Sequence, residues 1–158
     1  MPQTKTVRIA NGQGFWGDSI LGPIRLVEEG PLDYLTLDYL AEVTMSIMQK
    51  LKSRNPGAGY ATDFLTMLDR ILPDVAEKGI KIVANAGGVN PIGCMEATIE
   101  LARKKGLTGL KVGVILGDDI LAELPDLVES GEAFANMDTG EELKPLLDKV
   151  SSANVYIG

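Results

Sequence analysis

The chain has no histidine and a single cysteine, Cys94, among its 158 residues. Without an imidazole it can build neither a Ser-His-Asp triad nor a Cys-His dyad, and it offers no histidine zinc ligand or proton shuttle. One cysteine excludes an internal disulfide and any cysteine-rich metal site. Aromatic residues are scarce at 5%, and no window approaches the roughly twenty apolar residues that a membrane-spanning helix needs. The first residues, Met1-Pro2-Gln3-Thr4-Lys5, carry no apolar signal core, so the expected location is the cytoplasm. Basic residues are outnumbered, 15 Lys and Arg against 22 Asp and Glu, for a net charge of −7. That balance repels phosphate backbones and anionic lipid, so neither nucleic acid nor membrane is an expected partner. Acid and base chemistry is left to Asp, Glu, Lys and Tyr.

What is present is an ordinary globular composition, 45% hydrophobic and 23% charged. A chain of this length buries most of the surface that it exposes when unfolded. No repeat, low-complexity tract or shift in composition marks a boundary, so residues 1–158 read as a single α/β domain. Short aliphatic runs alternate with stretches of helical period, the pattern of a parallel sheet covered by helices. Strands are expected at Thr6–Ala10, Tyr34–Leu37, Ile80–Ala84 and Lys111–Leu116, with a last strand at Asn154–Ile157.

Pro23 to Glu29 reads as a short helix stopped by Gly30. Asp38 reads as the cap of a helix running to about Lys52 with a buried stripe of Leu40, Val43, Thr44, Ile47 and Leu51. Thr62 to Lys78 has helical period, and Pro73 is expected to kink or divide it. Pro91 opens a further helix that stops before Gly106, and Thr139-Gly140-Glu141-Glu142 has capping-box spacing for a last one. The expected architecture is a three-layer, Rossmann-like parallel sheet with helices on both faces, or alternatively part of a β/α barrel.

Three loops leave the carboxyl ends of expected strands, where ligands collect in such sheets. The first holds Asn11, Gly12, Gln13, Gly14, Phe15, Trp16 and Asp18. Gly12, Gly14 and Gly17 match G-x-G-x-x-G, but Pro23 would lie inside the helix that must meet a pyrophosphate, and two bulky aromatics fill the turn, which argues against a nicotinamide cofactor. Asn11 and Gln13 can orient a substrate carbonyl or tie the loop to itself. One of Phe15 and Trp16 is expected to anchor the loop. The second loop, Asn85-Ala86-Gly87-Gly88-Val89-Asn90, precedes a helix opened by Pro91. Its glycines and two amides can present backbone N–H groups to an anion, or can simply serve a tight connection. Cys94, in the first turn of that helix, is expected to be a small buried residue rather than a nucleophile. The third loop, Gly117-Asp118-Asp119, offers a general base or a Mg²⁺ ligand, while one of its carboxylates is also the expected cap of the next helix.

Four blocks, Asn11–Ser19, Leu32–Met45, Gly59–Phe64 and Val83–Pro91, together resemble the opening part of the acyclic terpene utilisation (AtuA-like) family over nearly the whole chain. The Gly117-Asp118-Asp119 turn fits the same pattern. The resemblance implies catabolism of acyclic terpenes such as citronellol and geraniol, whose later intermediates are branched acyl-CoA thioesters. It also implies that this chain is the N-terminal portion of a longer α/β architecture.

On that basis the expected function is an enzyme or enzyme subunit acting on a branched acyl-CoA thioester or carboxylic acid, in a lyase or hydratase type of step. Backbone donors around Gly87 and Gly88 would hold an enolate oxygen, Asp118 or Asp119 would move the proton, and the aromatic loop would cover the alkyl chain. The alternative is a non-catalytic assembly or binding subunit, a homo-oligomer or one completed by a partner chain at the sheet edge after Tyr156.

Overall fold

The computed structural model describes residues 5–156, and the chain divides into two compact units, Met1–Val114 and Ile115–Gly158. The first contains β1 (Ile9–Gln13), α1 (Leu21–Glu29), β2 (Tyr34–Leu37), α2 (Glu42–Arg54), α3 (Thr62–Lys78), β3 (Lys81–Ala84) and α4 (Pro91–Lys104). Its three strands form one parallel sheet in the order β1-β2-β3, a mixed α/β arrangement of the Rossmann-like kind.

Register decides what each face carries. Ala10, Leu35 and Ile82 share one row, and Asn11, Thr36 and Val83 share the next. Leu35 and Leu37 are buried with Val27 of α1 and Met67, Leu68, Ile71, Leu72 and Val75 of α3 in one cluster, and α1 packs on both β1 and α3. Ile9 and Val83, on the alternate rows, are exposed. On that side Lys81 reaches across to the Tyr34 hydroxyl at 3.2 Å and over its ring. The ladder of β1 is irregular between Asn11 and Gln13. There Gly12 lets the strand pass α1, because a Cβ would stand 2.9 Å from the Pro23 Cβ.

Several expectations are corrected. α3 runs unbroken through Pro73. Interior proline costs about 3 kcal/mol, but five buried side chains on this helix, each contributing about 1.5–3 kcal/mol, outweigh it, and Pro73 itself faces solvent. α2 starts at Glu42 after an Ala41 N-cap, so Asp38 is not its cap. Nor is the expected stripe its buried face: Met45 and Met48 are buried, whereas Val43, Ile47 and Leu51 are exposed, Val43 by 70%. The helix turns the flexible Met48 to the irregular surface of the glycine turn after β3. There Met48 Sδ abuts Gly88, and Lys52 Nζ donates to the Val89 carbonyl.

Lys111–Leu116 forms no strand, and Ile115 is 96% exposed. A short aliphatic run becomes a strand only where a neighbouring ladder accepts it, and none pairs with it among the described residues.

The second unit is built of turns. It holds α5 (Leu124–Glu129), a 3₁₀ turn at Lys144–Lys149 and two isolated antiparallel bridges, Asp119 with Asn154 and Ala135 with Glu142. The expected final helix is replaced by the 3₁₀ turn because the Asn136 carboxamide first captures the amides of Asp138 and Thr139, and the Thr139 hydroxyl accepts from Glu141 N. Of the expected last strand only Asn154 enters a bridge, and Ile157 lies outside the described residues. Among those residues no helix is long and apolar enough to cross a membrane.

Candidate functional site

The carboxyl ends of the three strands are tied together by a polar network. β1 ends at Gln13, whose carbonyl accepts from Asp38 N at 3.1 Å. The next residue, Tyr39, is fully buried; its amide donates to Asn85 Oδ1 at 2.7 Å and its hydroxyl donates to Gln13 Oε1. Asn85 Nδ2 returns to Asp38 Oδ1 at 2.7 Å. Gln13, 2% exposed, completes the set by donating from Nε2 to the Asp18 carbonyl at 3.2 Å. The end of each strand thus contributes a polar residue to one hydrogen-bonded chain, buried at Gln13 and Tyr39 and exposed at Asp38 and Asn85, which fixes the geometry of the loops that leave it. Burial, then the nearby Asp63 carboxylate, then Cys94, push the Tyr39 phenol well above its ordinary range. It therefore remains a protonated donor.

The first loop is folded on Asp18, whose carboxylate accepts from Gly14 N at 3.1 Å and from Ser19 N at 2.7 Å. Trp16 packs against the core and Phe15 is exposed, so Trp16 is the anchor. Asn11 lies on the sheet, where its Oδ1 accepts from the Thr36 hydroxyl at 3.2 Å. Beyond the loop, α1 begins only at Leu21 and packs Pro23 on Gly12, an arrangement with no helix N-terminus inside the glycine motif. Gly17 N donates to Asp63 Oδ2 at 3.3 Å. The other Asp63 oxygen, Oδ1, is buried without a hydrogen-bond partner. Next to it, Phe64 meets the Tyr39 ring edge-on at 6.0 Å between centroids.

In the second loop the backbone is largely committed. Gly88 N donates to Asn85 O, Val89 N to Gly59 O and Asn90 N to Gly87 O. Asn90 caps α4 by accepting from Gly93 N, and its Nδ2 holds the carbonyls of Pro56 and Ala58. The structure thus joins Gln13, Asp18 and Asn85 in one cluster. Tyr39 and Asp63 belong to it as well, although the sequence pattern does not single them out, and so does Asp38, which the sequence offers only as a helix cap; Asp63 stands within the Gly59–Phe64 block.

Cys94 is buried at the start of α4. A helix N-terminus lowers a thiol pKa, but here burial prevails and pushes it up to about 11, against a smaller lowering by the Thr98 hydroxyl. Alkylation by iodoacetamide near pH 8 should therefore run roughly a hundredfold slower than for free cysteine. A rate matching the free thiol would contradict this burial. The raised value also has a sign for stability: the unfolded thiol ionises first, so the contribution is intact below its pKa and lost as pH climbs through 11.

Asp118 and Asp119 belong to the second unit. Asp118 Oδ2 accepts from Asn154 Nδ2 at 3.2 Å and its carbonyl from Val155 N at 2.7 Å. Asp119 Oδ1 accepts from Leu121 N at 3.1 Å, and the residue is exposed. Glu123, not either aspartate, is the N-cap of α5. Among the described residues no group of three His, Cys, Asp or Glu could hold a metal ion.

In comparisons with known proteins, the model of the acyclic terpene utilisation family protein AtuA matches residues 7–158. No curated protein and no solved structure matches the chain.

Proposed function

The chain belongs to the acyclic terpene utilisation family of AtuA, and on that premise we propose that it is an enzyme, or a subunit of one, acting on a branched acyl-CoA thioester or the corresponding carboxylic acid. Membership suggests a role in acyclic terpene utilisation; the match over residues 7–158 is the observation that carries the reading. The network at the strand ends supports it by holding two loops rigidly where parallel sheets bind ligands. Exposed Phe15 offers an apolar surface to an alkyl chain. The Gly87 amide, at a half-buried turn, is a donor for a developing enolate oxygen. The second unit by itself offers Asp118 and Asp119 as carboxylates able to move a proton in a lyase or hydratase step, or to take Mg²⁺.

Calorimetric titration with free CoA, short branched acyl-CoA thioesters and the matching acids, with and without Mg²⁺, tests the reading. Saturable binding of a thioester or acid, weakened when Asp118 is changed to Asn, is the expected result. A folded chain that binds none of them overturns the enzyme reading in favour of an assembly subunit.

A further inference from the structure

β3 is an end strand of its sheet, and β2 is the only helix or strand among the described residues that packs extensively against it. Lys81, Val83 and Ala84 are exposed, Val83 by 58%, whereas strands of parallel sheets are ordinarily buried on both faces. The backbone is open as well. Lys81 N donates to Asp33 O at 3.0 Å, so Lys81 and Val83 turn their N–H and C=O groups to β2, and the alternate residues Ile82 and Ala84 turn theirs outward. Among the described residues no group hydrogen-bonds to these outward ones.

The opposite edge of the sheet is guarded. β1 is irregular between Asn11 and Gln13, and α1 packs on it; a bulge and a covering helix are devices that blunt an edge. The ladder of β3 is regular. Its one lysine, Lys81, is turned along the open face to the Tyr34 hydroxyl at 3.2 Å and so does not guard the edge.

We propose that β3 is a self-association edge: two copies of the chain pair their β3 strands antiparallel across a two-fold axis at Val83, joining two three-stranded sheets into one. The inference is independent of the substrate reading above. Its register follows from the backbone. Setting Ile82 opposite the partner's Ala84 engages every outward group of both strands and places Val83 beside the partner's Val83. A shift of one residue would set core-facing Ile82 against the open face. A larger shift calls on Ile80 N, already given to Val75 O, or on Ala86 O, already taken by Ala61 N.

Charge selects the same arrangement. Lys81 comes opposite the partner's Asn85, and in each copy Asn85 holds the Asp38 carboxylate at 2.7 Å, so the cationic end of each strand lies beside the acidic end of the other. Parallel pairing would set lysine against lysine. A second copy thus supplies the hydrogen-bonding groups, an apolar mate for Val83 and the opposite charge in one operation, and a two-fold contact closes without growing a fibre.

The test uses the whole chain, with sedimentation and amide hydrogen exchange by NMR followed over a range of concentrations. A reversible monomer–dimer equilibrium is expected, in which the Ile82 and Ala84 amides gain protection as the dimer fills. Val83→Lys and Val83→Glu, at an exposed position, each place like charges on the axis and should weaken the dimer at least about tenfold, with melting confirming the fold. Mixed in equal amounts, the two variants should associate again. A chain monomeric at every concentration, a dimer indifferent to Val83→Lys, or a mixture that fails to associate overturns the proposal. So does protection of Ile82 and Ala84 in the monomer, which would give the edge to the unpaired run Lys111–Leu116 of the same chain.

Discussion

Replacing Gly88 with alanine should destabilise the first unit by about 2–5 kcal/mol, a large fraction of the roughly 5–15 kcal/mol that holds native domains together. Two costs add. Gly88 has φ +52°, in the left-handed region where an L-residue pays about 1–2 kcal/mol. A Cβ there would also come within 2.7 Å of the Gly59 carbonyl oxygen and still closer to Met48 Sδ. Met48 is fully buried and can yield only by disturbing its neighbours, which makes overpacking worth about 1–3 kcal/mol.

Urea unfolding followed by fluorescence reads this directly, because Trp16 is the only tryptophan and packs against the core of this unit. Gly14→Ala is the control: its Cβ meets nothing within 4 Å, so the midpoint should move by no more than about 0.5 kcal/mol equivalent. An unchanged midpoint for Gly88→Ala would falsify the packing account. The result also bears on function: a glycine kept for the approach of Met48 and Gly59 is explained without any bound anion.

The parts of the fold legible in the sequence are those fixed by neighbours in the chain. Tyr34–Leu37 is read as a strand with its observed bounds, and Pro91 opens α4 where its missing N–H and fixed φ predict. Errors arise where a distant surface decides. Val43, Ile47 and Leu51 have helical spacing for burial, yet the side with Met45 and Met48 is buried instead, with Met48 against the glycine turn after β3. Lys111–Leu116 has strand composition but no ladder among the described residues. The candidate site divides in the same way. Gln13, Asp18 and Asn85 are visible as polar residues in loops after strands. Tyr39 reads as one more apolar position after β2, and only its contact with Gln13, 26 residues away, reveals a donor. Asp63 reads as an acid favouring a helix start; its tie to Gly17 spans 46 residues.

The Tyr39 to Gln13 contact carries the second large effect. Tyr39→Phe deletes one oxygen and leaves Gln13 Oε1, in a residue 2% exposed, without its donor; the expected loss is about 1–3 kcal/mol. Gln13→Leu strands the Tyr39 hydroxyl and also the Asp18 carbonyl that Nε2 serves, so its loss should be at least as large. Because both single changes include the same broken pair, the double variant should be less destabilised than the sum, with a coupling of about 1 kcal/mol or more in a double-mutant cycle. Strict additivity would mean that the two side chains do not act as a pair.

The pH dependence gives an independent check. The folded phenol is held above its ordinary range chiefly by burial. Above about pH 10 the unfolded chain therefore ionises Tyr39 while the native chain does not, and native stability must fall as pH rises. The Tyr39→Phe variant has no phenolic proton to lose at this position. The stability gap between wild type and Tyr39→Phe should thus stay constant near neutrality and narrow in alkali, and denaturant titrations at both ends of that range measure it. A gap that widens in alkali would show the phenolate, not the phenol, to be the form that the strand ends hold.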